Sequence, residues 1–525
     1  MPDQTAATAY VTTPIYYVND RPHIGHAYTT TLCDVWARFM RLSGRDVFFL
    51  TGTDEHGVKV EKSARDRGTT PQALADENAA EFRRVLGLFG LSNDDFIRTT
   101  EPRHERQVQR LLERLEAAGA VHLGEFEGWY DEGQEEYHTE TRAKELDYRS
   151  PVSGRPLVRA KESNYYFRLS AFQERLERHF DENPEFVRPA ARRNEVLGRL
   201  REGLQDVPIT RTNFSWGIPM PGAEGHVVYV WIDALFNYAT ALGLGEEDPT
   251  SSERAKFWPA DFHVIGKEIL WFHAVIWPAL LMALELPLPK CIYAHAFWIA
   301  EGQKMSKSLG NFVDLEAIGR YHDRYGLDAW RWFMATRGPL GASDADFRED
   351  QFADAYATDL VNTVGNGASR VTAMAERYFE GSVPRPEDPH RIVGDRDWNA
   401  SIAEALREAE SAAGRFAIDR MAEAGLSLFR SLDGFIHRTE PFRLAKDPDR
   451  REDLARILHQ SLEVLFAASA LLWPLMPDSM DRLREALGCA KVTESGPLAD
   501  QVRMDAARDF DGVRKIALFP RIETA

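Results

Sequence analysis

Residues 9–26, AYVTTPIYYVNDRPHIGH, hold a strand, a turn and the start of a long helix in one stretch. Tyr10 to Thr13 is short and β-prone, and Pro14 stops it. Pro22 sits where a helix begins, because proline fixes φ and lacks only an N–H that the first turn leaves unpaired. Behind it Tyr28, Leu32, Val35, Phe39 and Leu42 step by four and three, which predicts a helix with one apolar face on a sheet, ended at Gly44. His23 and His26 then share the first turn, three apart on one side, beside free N–H groups and the positive end of the helix dipole. Such a place suits an anion, above all a phosphate. Gly25 between them removes a side chain where a flat base could lie against the backbone.

Outward from this stretch, Val47 to Leu50 is a continuous apolar run of the kind found in a covered parallel strand. It ends in Thr51-Gly52-Thr53-Asp54-Glu55-His56-Gly57, at the carboxyl end where doubly wound folds bind ligands. A helix from Thr70-Pro71 to about Gly90, a strand from Phe96 to Thr99 and a helix from Glu101-Pro102 to Gly119 make this the first half of a Rossmann-like parallel sheet. From Val121 to about Gly225 the pattern is shorter, more charged and rich in aromatic residues, as in an inserted domain. The sheet resumes with strands expected at Val227 to Ile232, Phe262 to Ile265 and Lys290 to Ala294, the second leading through Gly266-Lys267 into an apolar helix. Beyond about Ala353, Ala357, Val361, Val364, Ala368, Val371, Ala375 and Tyr378 step by four and three. Further helices at about Trp398 to Leu432 and Asp453 to Trp473 predict a helical bundle. The expected fold is therefore α/β followed by all-α, divided at 1–120 and 226–295 (the two halves of the sheet domain), 121–225 (insertion), 296–352 (loop and connecting region) and 353–525 (bundle).

At 525 residues the chain has ample length for several cores. No apolar run is long enough to span a bilayer and the N-terminus lacks a signal pattern, so a cytoplasmic protein is expected. Cys33, Cys291 and Cys489 are too scattered for a disulfide framework or a Cys-x-x-Cys metal pattern. The formal charge of -18 argues against indiscriminate nucleic-acid binding, but a local basic strip with stacking residues would still allow an RNA partner.

Far along the chain, Lys304-Met305-Ser306-Lys307-Ser308 puts two ammonium groups three apart on a small-residue loop. Paired with His23-Ile24-Gly25-His26, it resembles the HIGH and KMSKS signatures of class I aminoacyl-tRNA synthetases. The stretches TPIYYVNDRPHIGHAYTT, FFLTGTDEHG, NYYFRLS, YVWIDALFNY, HVIGKEILWFHAVIWPALL and KMSKSLGN resemble the methionyl-tRNA synthetase family over nearly the whole chain. The resemblance implies activation of methionine by ATP with magnesium, then transfer to the terminal adenosine of tRNA(Met). It implies that His23, His26, Lys304 and Lys307 meet the phosphates, with Gly25, Gly266 and Glu268 at the ribose and base. Methionine would lie among Ile15, Tyr17, Asp54, Trp231, Ala234, Leu235, Tyr238, Ile269 and His273, Asp54 taking the ammonium and aromatic walls the thioether. The insertion would be the connective peptide, residues 296–352 the KMSKS loop and stem-contact region, and the bundle the anticodon reader through Asn366, Arg370 and Phe442. Phe442 stands where the family usually has Trp, so it can stack but lacks the indole N–H.

The family's zinc knuckle survives only as a frame. Trp129-Tyr130 precedes the first ligand pair and Pro151 with Gly154-Arg155-Pro156 marks the second, but the four ligand places are Asp131, Gln134, Ser150 and Ser153. Amide and hydroxyl groups are poor zinc donors, so a metal-free knuckle held by hydrogen bonds, Trp129, Tyr130 and Tyr137 is expected. The alternative is zinc on His122 or His138 with carboxylates. A leucine, isoleucine or valine synthetase would carry a larger editing insertion, a nucleotidyltransferase would not need the bundle, and a non-catalytic tRNA-binding homologue would not need the intact histidines and lysines. The chain ends soon after Leu518-Phe519-Pro520, which leads to the expectation of a monomer.

Overall fold

The computed structural model describes residues 7–18, 22–131, 136–138, 140–151, 153–300, 302–305, 313–388, 391, 393, 396–505 and 508–522. Strand β1 (Thr8–Thr12) leads into α1 (Ile24–Leu42), and β2 (Asp46–Asp54), α2 (Pro71–Leu88), β3 (Asp95–Arg98) and α3 (Pro102–Ala117) follow. The insertion is built on the antiparallel pair β4 (Val121–Asp131) and β5 (Val158–Phe167). The chain returns through β6 (Val187–Arg188), α4 (Val230–Thr240), β7 (Phe262–Gly266) and β8 (Ile292–His295). The main sheet is parallel in the order β3-β2-β1-β7-β8-β6, with Tyr16–Tyr17 as a further short strand beside the end of β2. Its order reverses between β1 and β7, and such a switch point opens a crevice at the carboxyl ends of the strands.

Both faces of the sheet are covered, as its continuous apolar strands require. Successive strand side chains point to opposite faces: Ala9, Val11, Phe49 and Val264 enter one core with α1, while Tyr10, Phe48, Leu50 and Ile265 enter the other with α3 and α4. The stripe expected on α1, Tyr28, Leu32, Val35, Phe39 and Leu42, is buried throughout. Two strand expectations need correction. Only Val227–Val228 is extended, pairing with Thr210–Arg211, and α4 has begun by Val230. The run Val227 to Phe236 is apolar on almost every side, so strand and helix periods look alike in it. Conversely, the edge strand β6 comes from inside the expected insertion, and two residues are too few to leave a periodic signal.

Helix α5 (Leu327–Arg337) connects the sheet domain to the bundle, which includes α6 (Asn366–Phe379), α7 (Trp398–Ala413), α8 (Ile418–Thr439) and α9 (Arg451–Leu472). Ahead of α6, Tyr356–Gly365 is wound as a wide π-helix. The stripe therefore slips: Leu360 and Val364 are buried but Ala357 is exposed, and at the far end Phe379 is buried where Tyr378 was expected. The bundle rests directly on the sheet domain. Phe416 packs on Phe262 and Tyr293, and the Trp36 indole donates to the Ala413 carbonyl at 2.9 Å.

At this junction Arg331 of α5 and Asp34 of α1, each with no exposed side-chain surface, pair at 2.7 Å. Arg331 also donates to the Leu475 and Pro474 carbonyls, and Asp34 accepts from Ser92 and Arg38. Burial works to raise the Asp34 carboxyl, but Arg331 and Arg38 outweigh it and hold the group below the usual carboxylate range. Such a pair adds little net stability but fixes one register, since either charge left alone would be stranded. Among the described residues no helix is long and apolar enough to cross a membrane.

Candidate active site

His23 is the N-cap of α1, so Pro22 lies just before the helix and not in its first turn. The two histidines are also not beside idle amides, because they use them. His23 Nδ1 accepts from the Gly25 N–H at 3.0 Å, and His26 Nδ1 accepts from the His23 N–H at 3.1 Å, a reciprocal capping box made by imidazoles. A ring nitrogen that accepts from an amide is unprotonated, so each histidine carries its proton on Nε2. Burial pushes the His26 imidazole well below its usual range, with His23 adding to the effect. His26 thus offers a neutral N–H, not a positive charge. A Cβ on Gly25 would lie 2.9 Å from His23 Cε1, so glycine is needed here to let the imidazole fold back onto the backbone.

One cavity of about 240 Å³ opens at the switch point. His23, Gly25, His26, Gly266 and Glu268 lie around it, and so do Ile15, Tyr17, Asp54, Trp231, Ala234, Leu235, Tyr238, Ile269 and His273. Asp54 arrives at the end of β2, Gly266 at the end of β7, and Trp231, Ala234, Leu235 and Tyr238 share one face of α4. Trp231 stacks on Phe272 with ring centres 4.0 Å apart and meets the Tyr17 edge. His273 Nδ1 donates to the Ile269 carbonyl at 2.9 Å, which leaves Nε2 to accept from the Tyr238 hydroxyl at 2.8 Å. Burial pulls His273 down to about 4, so this imidazole stays neutral and the Tyr238 oxygen keeps its lone pairs for the cavity. A Cβ on Gly266 would collide with the Glu268 carboxylate, which turns back over that strand end.

Sequence reasoning missed His295, Phe297, Thr29, Pro14 and Tyr16, which line the same cavity. His295 was findable: it ends β8, and a carboxyl strand end beside the switch point is where ligand contacts gather. Its Nδ1 donates to the Ala296 carbonyl and its Nε2 accepts from the Thr29 hydroxyl at 2.8 Å, while burial draws its pKa down to about 4.

Lys307 and the side chain of Lys304 lie outside the described residues. The Lys304 backbone pairs with Ile299 in the hairpin of β9 (Trp298–Ala300) and β10 (Gln303–Lys304). Beyond residue 312 the chain returns at α1, where the Ile24 N–H donates to the Val313 carbonyl at 3.2 Å and His23 bridges to Asp314. Asn366, Arg370 and Phe442 lie in the bundle, away from the cavity lining. Asn366 is exposed, Arg370 is paired with Asp433 at 2.5 Å on α8, and Phe442 leaves 43% of its surface in solvent. Exposed pairs such as Arg370–Asp433 contribute about 0–1 kcal/mol and exchange readily. In the knuckle frame, Trp129 and Tyr148 both donate to Glu140, at 2.7 and 2.9 Å, with their rings in contact. Ser150 Oγ accepts from the Ser153 N–H at 3.1 Å. Gln134 and the side chain of Tyr137 lie outside the described residues.

A crevice at the switch point of a parallel sheet, with paired histidines capping the first helix beside it, is the arrangement that the resemblance to class I tRNA synthetases leads one to expect. The family model described as tRNA synthetases class I (M) matches residues 9–146 and 142–372. The methionine–tRNA ligase of Rhizobium meliloti is 41% identical over 514 residues, covering 95% of this chain and 96% of that protein. That of Halalkalibacterium halodurans is 40% identical over 497 residues, covering 92% and 73%. The solved Mycobacterium tuberculosis methionyl-tRNA synthetase in complex with methionyl-adenylate has a TM-score of 0.90 at 35% identity, over 98% of this chain and 100% of that one. The chain belongs to the methionine–tRNA ligase family and is an aminoacyl-tRNA ligase.

Proposed function

We propose that the cavity between β1 and β7 is where this ligase makes methionyl-adenylate and then passes the methionyl group to tRNA. The observation that carries the reading is the continuity of the cavity. The α1 histidines, Gly266 and Glu268 line the same cavity as Asp54, Trp231 and Tyr238. In the first step a methionine carboxylate oxygen bonds to the α-phosphorus of ATP as the bond to pyrophosphate breaks. In the second, the 2′-hydroxyl of the terminal adenosine bonds to the methionyl carbonyl carbon, its proton is lost and AMP leaves. Neither step needs a protein nucleophile, so positioning and hydrogen-bond donation carry the catalysis. The Nε2–H groups of His23 and His26 would donate to phosphate oxygens, Lys304 and Lys307 would neutralise the departing charge, and Asp54 would hold the ammonium. Gly25, Gly266 and Glu268 would receive the ribose and base.

Magnesium would accompany ATP as part of the substrate. Among the described residues no three or more His, Cys, Asp or Glu side chains converge as a metal site, so the phosphates would be its principal ligands. The partition at 1–120, 121–225, 226–295, 296–352 and 353–525 is proposed with β6 counted to the sheet domain, and the ligase is proposed to act as a cytoplasmic monomer. Pyrophosphate exchange into ATP, measured with each amino acid in turn, tests the assignment: methionine alone should support it, and equal exchange with leucine or isoleucine would overturn it.

The bundle would read the anticodon through Asn366, Arg370 and Phe442. Exposure of the Phe442 ring supports stacking over packing, and base–aromatic stacking contributes about 1–3 kcal/mol per base. Phe442→Ala is therefore expected to lower kcat/KM for tRNA charging by about fivefold to a hundredfold, with exchange in the absence of tRNA unchanged. Unaltered charging would return Phe442 to a structural role.

The knuckle is proposed to be metal-free. Glu140, accepting from Trp129 and Tyr148, joins parts of the frame that a zinc ion would otherwise tie. Elemental analysis of protein purified without chelator should find zinc well below stoichiometric, and activity should survive chelation. Stoichiometric zinc, or activity that chelation abolishes and zinc alone restores, would overturn this.

A further inference from the structure

Directly behind the methionine end of the cavity, three buried groups from three elements meet. Asp233 lies in the first turn of α4, His56 follows the end of β2 by two residues, and His104 is on α3. Asp233 Oδ2 is 2.7 Å from His56 Nδ1, and Asp233 Oδ1 is 2.7 Å from His104 Nε2. His104 Nδ1 reaches the Thr240 hydroxyl at 2.7 Å, so α4 is gripped at both ends from the side away from the cavity. His56 is itself held: the Trp216 indole donates to the Glu55 carbonyl at 2.7 Å, the Gly57 N–H donates to the Trp216 carbonyl at 3.0 Å, and the Trp216 ring meets the imidazole edge-on. None of these groups lines the cavity, but their immediate neighbours do. Asp54 precedes His56 by two residues, and Trp231, Ala234 and Leu235 flank Asp233.

We propose that His56, Asp233 and His104 form a clasp that sets the separation between Asp54 and the aromatic wall of α4, and so act as positioning residues for recognition of the amino acid. The inference rests on the reading of this cavity as the methionine pocket. Its physical basis is that the ammonium contact comes from a strand end and the side-chain contacts from a helix. No covalent turn joins these two elements, since more than a hundred and fifty residues separate them in sequence. A site must be held to within about 0.5 Å to work, and the carboxylate bridging two imidazoles is the direct tie between its two walls. A buried bridge of this kind is strongly directional because either partner alone would be stranded.

The clasp also contains a proton that can leave. Burial works to lower the His56 imidazole, but Asp233, then Glu105 and Glu55, outweigh it and raise the group above its usual range. Burial works to raise Asp233, and His56 and His104 outweigh that and hold it down. The charged groups acting on His56 are thus Asp233 on α4, Glu105 on α3 and Glu55 on its own segment, while His104 shares the Asp233 carboxylate with it. Glu55 is already engaged by Arg98 at 2.7 Å. Because the folded-state pKa of His56 is raised, its charged grip is complete below the ordinary histidine range and is lost as pH rises through the raised value. Glu105, 3.8 Å from His56 Nε2 and partly in solvent, tunes that value without touching the cavity.

The test is methionine-dependent ATP–pyrophosphate exchange across pH. Asp233→Asn should raise the methionine KM by about tenfold to a hundredfold, with kcat and the ATP KM within about twofold, since misplacement of a binding group by about 1 Å costs up to that much. Glu105→Gln, at a half-exposed site where folding is not at risk, should keep the neutral-pH constants but move the alkaline fall in kcat/KM for methionine to lower pH. A fall caused by deprotonation of free methionine would stay in place in every variant. Asp54→Asn separates the two readings. If it leaves the methionine KM unchanged, the pocket assignment fails. If it raises that KM while Asp233→Asn changes all three constants equally, or Glu105→Gln leaves the profile in place, the clasp is overturned.

Discussion

Asp54→Asn is expected to lower kcat/KM for methionine in ATP–pyrophosphate exchange by about thirtyfold to several thousandfold, because losing one partner of a buried, hydrogen-bonded charge pair costs about 2–5 kcal/mol. The loss should fall on the methionine KM. Asp54 is buried at the end of β2 and lines the same cavity as Trp231, so its carboxylate would meet the ammonium largely out of bulk water. The asparagine has the same shape, which leaves the pairing of β2 with Tyr16–Tyr17 intact and confines the change to charge. The ATP KM should move by less than about threefold, since on the proposed assignment the phosphates meet the α1 histidines and not Asp54. A methionine analogue without the amino group should bind the variant and the wild type alike. If the variant loses ATP affinity instead, Asp54 does not hold the ammonium.

Lys307→Ala is expected to reduce kcat for exchange by about a hundredfold to a thousandfold, the range for removing one donor that meets charge developing in the transition state. The methionine KM should change little, because a contact made only in the transition state contributes nothing to ground-state binding. Of the described residues that flank Lys307 in sequence, Lys304 pairs with Ile299 in β9, and Val313 and Asp314 meet the start of α1. On the proposed assignment His23 and His26 would act as N–H donors on Nε2, with His26 neutral, and the lysines would be the principal source of positive charge. Equal losses in kcat and in substrate affinity would show that Lys307 holds ground-state phosphate.

The sequence by itself determined the fold class, the α1 stripe, the placement of Asp54 and the family. These depend on local periodicity, on proline and glycine, and on motif residues whose order along the chain is already their chemistry. It extended the strand at Val227–Val228 into the first turn of α4 because that run is apolar on nearly every face, and period carries no information where every face is buried. It missed β6 because a two-residue strand is specified by its neighbour β8 and not by its own residues. Only the tertiary structure decided the charge of the site. The sequence places His23 and His26 at a helix start suited to phosphate but does not set their charge; in the folded chain each accepts a backbone amide on Nδ1, and burial holds His26 neutral. The same holds for the meeting of His56, His104 and Asp233, which are far apart in sequence and share no motif. Protonation and hydrogen-bond direction are set by what surrounds a group in space, through desolvation and the few partners within 3 Å, and the linear order of residues does not encode either.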